Sequence, residues 1–417
     1  MDTSKSLSTQ DLLGVARETF ADQFGGIPSV EAHAPGRVEL LGNHTDYNGG
    51  LVMASAINRE TVVVGRPIPG RGALVHAVAF DASDTFLVDR VEQTEPGSWT
   101  RYVRGVCWAL GERFGGLTSG FEAVFVGNVP LGGGLSSSAS LQAAWARFLI
   151  GAGIVPRTGS LTGLDSSDPA LHDQARMDIA QALRRSENAF VEVGSGLLDQ
   201  FSAMFGAANQ ALTLDCLTLK HGLVPLGEHA PAIVVCDSGT SRRLADGMYD
   251  RRVAECQRVV DFFRSRIAVE GELMLRHIPL ADLQANWDAL DPVGRKRARH
   301  VLTENERVSQ GAEALRNGDL TRFGQLISAS HASSRDDFEN SSPALDALIE
   351  AAAEAPGFLG GKLSGAGWAG CTVNLVKAEQ AADFGAALAR GYHKRTGLNT
   401  VVHVCHAAEG ASARQVD

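Results

Sequence analysis

The amino-acid sequence predicts a mixed α/β protein built from two domains. Its 417 residues are too many for one ordinary core and suit two domains of common size. Segments rich in β-branched residues alternate with segments that carry apolar residues at helical spacing. Hydrophobic residues make up 44% and charged residues 21% of the chain, which is the balance of a soluble globular protein.

The first half predicts a short amphipathic helix, then a sheet, then helices. From Val30 onward the chain becomes rich in β-branched residues, notably in "LVMASAINRETVVVGRP" and "GALVHAVAFD". "FEAVFVGNVP" predicts another strand, and the segment "LQAAWARFLIGAG" that follows a glycine and serine run predicts a helix. Leu171 to Val193 predict a long helix that ends at Gly194, and a further helix begins near Leu197.

The second half predicts a mostly helical domain with a few strands. Pro225 and Pro231 flank a polar link before the strand "AIVVCDSG", and this link is the predicted domain boundary. The expected domains are therefore residues 1–228 and 229–417. "CTVNLV" and "TVVHVC" predict a final strand pair near the C-terminus.

Composition argues against several classes of partner. A formal charge of -10 disfavours nucleic acid, whose phosphates are bound by basic surface. No apolar run approaches the roughly 20 residues that a membrane-spanning helix needs, and the N-terminus lacks a long apolar segment. The six cysteines lie far apart without a C-x-x-C pair, which disfavours zinc and a disulfide framework. These features predict a cytosolic protein.

The run "PLGGGLSSSAS" between a predicted strand and a predicted helix is typical of an anion-binding loop. Glycines let backbone amides approach a ligand, and the helix start adds unpaired amides and the positive end of its dipole. We interpret the run as a phosphate cradle in preference to a flexible linker, because a linker does not usually join a strand directly to an amphipathic helix. No G-x-x-x-x-G-K-[ST] motif occurs, so any nucleotide is held differently from a Walker A site.

A second glycine run, "KLSGAGWAGCTVNLV", formally matches the dinucleotide fingerprint through Gly365, Gly367 and Gly370. The fingerprint should follow a strand and open a helix, whereas this run leads into a predicted strand at Thr372–Val376. Two interpretations have equal weight: a loop that brings its backbone near a ligand or another loop, and a plain glycine turn.

Two acidic residues stand at helix ends in "SENAFVEVGSGLLDQFSAMFG". Glu187 lies near the end of one predicted helix, and Asp199 lies in the first turn of the next, where the helix dipole favours a carboxylate. Each one alone would be interpreted as a solvated or stabilising charge. Phosphoryl transfer would unite them with the glycine loop, because it needs a phosphate cradle, a metal ligand, a group that positions the attacking hydroxyl and a cation.

Taken in order, "APGRVELLGNHTDYNGG", "PLGGGLSSSAS" and "KLSGAGWAGCTVNL" resemble the three motifs of the GHMP kinases, and the first resembles the galactokinase signature. The resemblance extends over nearly the whole chain. It implies an ATP-dependent sugar 1-kinase. It also implies an N-terminal domain similar to ribosomal protein S5 domain 2, a ferredoxin-like C-terminal domain, and an active site between them. We also expect the protein to be a monomer.

The resemblance also implies roles for individual residues. Asp199 matches the family's catalytic base and Arg37 the group that stabilises the transition state, while Ser138 and Glu187 would bind Mg²⁺. The ATP phosphates would contact the glycine loop, namely Gly132, Gly133, Gly134, Leu135, Ser136, Ser137 and Ser138. The expected sugar contacts are Glu39, Asn43, His44, Thr45, Asp46, Gly196 and Tyr249.

Two positions of the first motif depart from the family pattern. The usual text is "GRVNLIGEHTDYN", so Glu39 replaces an asparagine and Asn43 replaces a glutamate. One hypothesis is that carboxylate and amide have exchanged places within one hydrogen-bonded group, since residues of equal parity on an extended segment point the same way. The opposite hypothesis is that a lost negative charge admits an anionic sugar such as galacturonate. Galactose is the predicted substrate; the alternatives are galacturonate, N-acetylgalactosamine, and a sensor that binds galactose without turnover.

Overall fold

The structure is a computed structural model that describes residues 7–240 and 247–416. Its strands are β1 (Val30–Leu41), β2 (Leu51–Ile68), β3 (Gly72–Ala77), β4 (Ala82–Leu87), β5 (Gly120–Gly127), β6 (Gln210–Asp215), β7 (His221–Pro225), β8 (Ala232–Asp237), β9 (Phe358–Leu363), β10 (Cys371–Val376), β11 (Val402–Cys405) and β12 (Ser412–Gln415). Its helices are α1 (Thr9–Phe24), α2 (Trp99–Phe114), α3 (Ser137–Gly151), α4 (Pro169–Arg185), α5 (Leu198–Phe205), α6 (Met248–Phe263), α7 (Leu280–Ala285), α8 (Pro292–Arg316), α9 (Leu320–Ser333), α10 (Pro343–Ala353) and α11 (Ala381–Thr396).

The larger sheet is formed mainly by the first half of the chain. Its strands run in the order β12-β1-β2-β5-β3-β4, while β6 pairs with β2 and β7 pairs with β6. Neighbouring strands are antiparallel except β3 and β5, which are parallel. The predicted strands at "LVMASAINRETVVVGRP", "GALVHAVAFD" and "FEAVFVGNVP" are confirmed as β2, β3 and β5.

Alternation along β2 explains why helices cover both faces of this sheet. Val62 and Val64 contact α1 through Phe20 and its apolar neighbours. Val63, between them, points to the opposite face and joins the main core around Trp145. Because successive side chains of a strand point to opposite faces, a run of buried valines needs apolar partners on both sides.

The smaller sheet belongs to the second half of the chain and has the antiparallel order β11-β8-β10-β9. Both segments of the expected final pair are strands, but the expectation that they pair with each other was wrong. β8 lies between them, because its residues are buried on both faces and favour a central position. β9 escaped prediction since its sequence "FLGGKL" contains two glycines, which are rare in strands.

The two sheets share a hydrophobic cluster. Val38 and Leu40 of β1 pack with Val235 of β8, Val373 of β10 and Phe323 of α9. Near the C-terminus the chain returns, as β12, to pair with β1 in the larger sheet. The predicted division at residues 228 and 229 stays a prediction. Across the residues described, no helix is long and apolar enough to cross a membrane.

Candidate active site

A cavity of about 570 Å³ opens where the two sheets meet. Segments that are far apart in the sequence line it: the end of β1 with the turn after it, the glycine loop before α3, the start of α5, the start of α6 and the loop before β10. The predicted site residues that line it are Arg37, Glu39, Asn43, His44, Asp46, Gly132, Gly134, Leu135, Ser136, Ser137, Ser138, Glu187, Gly196, Asp199 and Tyr249.

Arg37 and Asp199 form an ion pair in this cavity. Arg37 Nε donates to Asp199 Oδ1 at 2.9 Å, and the Nη2 atom lies 2.5 Å from the same oxygen. A second contact fixes the Arg37 guanidinium, because its Nη1 atom donates to the Gly134 carbonyl at 2.6 Å. The guanidinium is nearly buried, whereas 27% of the Asp199 side chain is exposed. The predicted pair is therefore assembled, with its carboxylate facing the cavity.

The glycine loop reaches this pair because β1 lets it approach closely. A Cβ atom at Gly36 would lie 2.7 Å from the Leu135 carbonyl, and the backbone amide of Arg37 donates to that carbonyl at 3.1 Å. Ser136 has a left-handed backbone (φ 58°) just before α3 begins, so the chain turns sharply into the helix. The start of α3 consequently opens on the cavity, as an anion site requires.

Two members of the predicted phosphate loop have other contacts. Ser136 Oγ donates to Asp199 Oδ2 at 2.6 Å, so this hydroxyl supports the ion pair. Gly133 is absent from the cavity wall, and a Cβ atom there would lie 2.9 Å from Cys371 Sγ. Gly133 therefore serves the contact between the loop and β10.

Glu187 lies deeper in the same cavity, on a π-helical turn (Ser186–Val191) that continues α4. This turn explains why the sequence predicted one helix as far as Val193. Glu187 Oε2 accepts hydrogen bonds from Ser195 Oγ at 2.7 Å and Gln200 Nε2 at 2.6 Å, and Ser138 also contacts the carboxylate. Burial raises the pKa of Glu187, against these hydrogen bonds.

The serine hydroxyl and glutamate at this point are hard oxygen donors, which suit a magnesium ion that keeps several waters. A cation would also offset the burial of Glu187. No group of three or more histidine, cysteine or acidic side chains that could hold a metal occurs among residues 7–240 and 247–416. A site of this kind therefore depends on waters and nucleotide phosphates for its remaining ligands.

Glu39 and Asn43 belong to one hydrogen-bonded group, as the exchange hypothesis expects. Asn43 Nδ2 donates to Glu39 Oε1 at 2.9 Å. Their proximity does not follow from strand parity, however, because β1 ends at Leu41 and Gly42 turns the chain with a φ of 96°. Lys362 completes the group: its Nζ atom lies 2.6 Å from Glu39 Oε1 and its side chain is fully buried.

His44 connects the first motif to the loop before β10. Its Nε2 atom lies 2.9 Å from the Ala366 carbonyl, which can only accept, so Nε2 carries the proton and Nδ1 accepts from Tyr47 Oη at 3.0 Å. Burial lowers the pKa of His44 to about 3. The ring is thus neutral at ordinary pH, and both of its nitrogens already have partners within the protein.

Asp46 lies beside Gly196, and only glycine fits there. A Cβ atom at Gly196 would come within 1.7 Å of Asp46 Oδ2. Burial raises the pKa of Asp46 to about 6, with smaller contributions from the Glu39 and Asp199 carboxylates. Burial likewise raises the pKa of the Tyr249 phenol, so it stays protonated as a donor. Thr45 is buried away from the cavity, where its hydroxyl donates to the Gly42 and Leu51 carbonyls.

The sequence did not predict several residues that belong to or support the site. Lys362 stands in β9 within an otherwise apolar and glycine-rich strand, and a lysine in that context was the available signal. Trp368 lines the cavity with a φ of 60°, and its backbone amide donates to the Asn340 carbonyl at 2.6 Å. Glu304 of α8 accepts from the Gly42 amide at 2.9 Å, and nothing in the sequence links these two residues.

The arrangement is suited to transfer of a phosphoryl group to a hydroxyl. The glycine loop and the start of α3 face anions, the partly exposed Asp199 accepts a hydrogen bond, and Arg37 supplies a fixed cation. The wall also carries Glu39 and Asp46, which are acceptors for hydroxyl groups. The second glycine run lines the cavity through Gly365, which favours the ligand-facing interpretation of that loop over a plain turn.

Family models match three parts of the chain. They are the galactokinase galactose-binding signature at residues 18–67, the GHMP kinases N terminal domain at 101–207 and the GHMP kinases C terminal at 312–394. Galactokinase from Roseiflexus sp. (strain RS-1) is 39% identical over 95% of this chain and 96% of its own. Human galactokinase is 36% identical over 96% of both chains.

Solved structures give the same result for the fold. Lactococcus lactis galactokinase in complex with galactose superposes with a TM-score of 0.85 at 32% identity, covering 96% of this chain and 99% of its own. Methanococcus jannaschii mevalonate kinase shares only the fold, with a TM-score of 0.61 at 15% identity over 92% of this chain and 99% of its own. The two-domain GHMP kinase fold is therefore confirmed, and the chain belongs to the galactokinase family of the GHMP kinases.

Proposed function

We propose that this protein is a galactokinase that transfers the γ-phosphoryl group of ATP to the anomeric hydroxyl of D-galactose. The observation that carries the proposal is the Arg37–Asp199 ion pair, which joins the glycine loop to the polar wall of one cavity. Membership of the galactokinase family supports the same reaction.

In the proposed mechanism the anomeric oxygen attacks the γ-phosphorus while the bond to ADP breaks, and the hydroxyl proton passes to Asp199. Asp199 Oδ2 is oriented by Ser136 and Oδ1 by Arg37, which fits a group that first positions the hydroxyl. In a loose transition state the proton moves late, so this orientation contributes more than basicity. Arg37 also offers positive charge to the transferring group.

The glycine loop would hold the ATP phosphates through its backbone amides and the start of α3. Ser138 and Glu187 would hold Mg²⁺, which would offset phosphate charge when bound. The raised pKa of the buried Glu187 supports this assignment, because a nearby cation favours its charged form. The cytosolic location and the monomeric state stay predictions.

The charge of the cavity favours a neutral sugar over galacturonate. Among the described lining residues, Glu39, Asp46 and Asp199 are acceptors, and a sugar hydroxyl donates to such groups without repulsion. The carboxylate of a uronic acid would add a further negative charge to this group in a poorly solvated space. Galactose is accordingly preferred over the anionic alternative.

A panel of sugars with ATP and Mg²⁺ tests the proposal. ADP release would be measured with galactose, N-acetylgalactosamine, galacturonate and glucose, and the phosphorylated carbon would be identified by ³¹P-coupled NMR. The expected result is galactose 1-phosphate as the main product. Turnover of galacturonate in preference to galactose would reject the sugar assignment, and galactose binding without ADP release would identify a sensor.

A further inference from the structure

Asn43 lies in the cavity wall, yet its amide has no capacity left for a ligand. Its Nδ2 atom donates to Glu39 Oε1 at 2.9 Å and to the Gly365 carbonyl at 2.8 Å. Its Oδ1 atom accepts from Asn340 Nδ2 at 2.9 Å and Ser334 Oγ at 3.2 Å. A primary amide has two N–H donors and two lone pairs, so all four positions are filled. Asn43 therefore acts as a clamp that ties β1 to the loop before β10.

Glu39 is in the opposite situation. Its Oε1 atom accepts from both Asn43 Nδ2 and Lys362 Nζ. Its Oε2 atom has no hydrogen-bond partner within the described part of the chain, although the side chain is only 7% exposed and lines the cavity. A carboxylate oxygen only accepts hydrogen bonds, so a donor from a ligand is needed to satisfy it when water is displaced.

Lys362 determines how this carboxylate is held. It extends from β9 and is fully buried, with its Nζ atom 2.6 Å from Glu39 Oε1. Burying a lysine or a glutamate alone is very costly, so the close contact between the two offsets part of the cost of burying each one. Because Lys362 and Asn43 both engage Oε1, the carboxylate cannot rotate freely and Oε2 is directed to the cavity.

We propose that Glu39 Oε2 accepts a hydrogen bond from a sugar hydroxyl other than the reacting one, and that Lys362 sets sugar selectivity by positioning Glu39. The inference rests on the proposed sugar kinase function and specifies how its sugar is chosen. Asn43 then acts as structural support without contacting the sugar. A ligand that presents no hydroxyl at this point leaves a buried carboxylate oxygen unpaired, and one that presents a carboxylate is repelled.

Deoxygenated sugars test the contact of Glu39. Wild-type protein and Glu39→Gln would be assayed with galactose and with its 2-, 3-, 4- and 6-deoxy analogues. For the wild type we expect one analogue to lose kcat/KM by about 100-fold or more, because a buried polar group is left unpaired. In Glu39→Gln the loss for galactose should be about 10- to 100-fold, and the penalty for that same analogue should shrink by about 10-fold. Equal losses for every sugar would overturn the contact.

A matched control is available on the same strand. Glu31 of β1 is also buried and paired with Arg17 and Arg414, but it lies outside the cavity. Glu31→Gln should therefore leave all five kcat/KM values, and their ratios, within about twofold of wild type. If Glu31→Gln changes the sugar ratios as Glu39→Gln does, the effect comes from loss of a buried ion pair and the proposal fails.

The positioning role of Lys362 is tested with Lys362→Arg and Lys362→Met. Lys362→Met should raise the KM for galactose by about 10-fold or more and reduce the penalty for the same deoxy analogue, with a smaller change in kcat. Lys362→Arg should keep the KM for galactose and the penalty for the deoxy analogue closer to the wild-type values than Lys362→Met does, because it keeps the cation beside Glu39. A selectivity pattern that stays wild-type in a folded Lys362→Met protein would overturn the role. If Lys362→Met does not fold, Lys362→Gln, which removes the charge but keeps a polar side chain, is judged by the same criterion.

These results are separable from the proposed function. Turnover of galactose by the wild-type protein tests the function alone. If another sugar is the substrate, the function is rejected, and the same deoxy series on that sugar still tests Glu39 and Lys362.

Discussion

Two carboxylate–cation pairs place their carboxylates in the cavity wall, and both involve the same short segment of β1. Arg37 and Glu39 are two residues apart on this strand and so face the same side. Asp199, the partner of Arg37, is 27% exposed, whereas Lys362, the partner of Glu39, is fully buried. In the first pair β1 supplies the cation, Arg37. In the second pair β1 supplies the carboxylate, Glu39.

The difference in exposure separates two kinds of work. A partly exposed carboxylate can exchange a water for a sugar hydroxyl at little cost, which suits the group that receives a proton. A buried carboxylate with one oxygen fixed by Lys362 and Asn43 keeps its geometry through binding, which suits recognition. We therefore expect the more exposed pair, Arg37 and Asp199, to serve the reaction. We expect the buried pair, Glu39 and Lys362, to serve sugar selectivity.

Asp199→Asn gives the largest expected effect, because the amide cannot accept the proton. We expect kcat for galactose to fall by about 10²- to 10⁴-fold, while the protein folds and binds galactose. Steady-state kinetics with a thermal melt checks this. Asp215→Asn, which weakens an ion pair with Arg276 outside the cavity, is the matched control and should keep kcat. Near-normal kcat in Asp199→Asn would show that the base is misassigned.

Stability should distinguish the two pairs next. Lys362→Met leaves Glu39 buried without its cation, and we expect the free energy of unfolding to fall by about 3–5 kcal/mol. The double variant Lys362→Met with Glu39→Met should recover most of that loss. Arg37→Met should cost less, because Asp199 reaches solvent. Urea denaturation measures the free energy of unfolding of all three variants. Equal losses in Lys362→Met and Arg37→Met would show that the difference in burial does not affect stability.

Two buried histidines at or near the site, His44 and His300, should make the stability of the protein depend on pH. Burial lowers the pKa of His44 to about 3 and that of His300 to about 4. Between the unfolded pKa of about 6.5 and these values the unfolded state binds more protons, so stability falls as pH falls. From pH 7 to pH 5 each histidine should contribute a loss of about 2 kcal/mol.

His300→Gln provides the test of that dependence. His300 Nε2 lies 2.9 Å from the Asn43 carbonyl and Nδ1 lies 2.9 Å from Ser333 Oγ. Glutamine is a neutral polar replacement that does not titrate. The loss of unfolding free energy between pH 7 and pH 5, measured in urea, should shrink by about 2 kcal/mol relative to wild type. An unchanged pH dependence would mean that His300 is not held neutral.

Ser136→Ala should have the smallest effect and would sharpen the account of the exposed pair. Its hydroxyl donates to Asp199 Oδ2, so its loss should lower kcat by about fivefold, equivalent to about 1 kcal/mol, with little change in the KM for ATP. Ser137→Ala is the comparison variant. A rise in the KM for ATP at unchanged kcat would instead favour the original assignment of Ser136 to the nucleotide phosphates.

Much of the fold was predictable because its signals are local. The β-branched run of β2, the helical spacing after the glycine loop and the glycines that end the helix of Glu187 depend on a few neighbouring residues each. β9 could not be predicted, since "FLGGKL" has weak strand propensity. The central position of β8 could not be predicted either, because the order of strands in a sheet depends on distant partners.

The sequence by itself determined the family, the glycine loop and the identity of Arg37 and Asp199 as a candidate pair, because contiguous motifs carry these features. Only the tertiary structure decided which polar atoms remain free. Asn43 is saturated, Glu39 keeps one oxygen open, and Lys362 arrives from 323 residues away. Hydrogen-bond capacity depends on every neighbour in space, and those neighbours come from segments whose proximity no local pattern records.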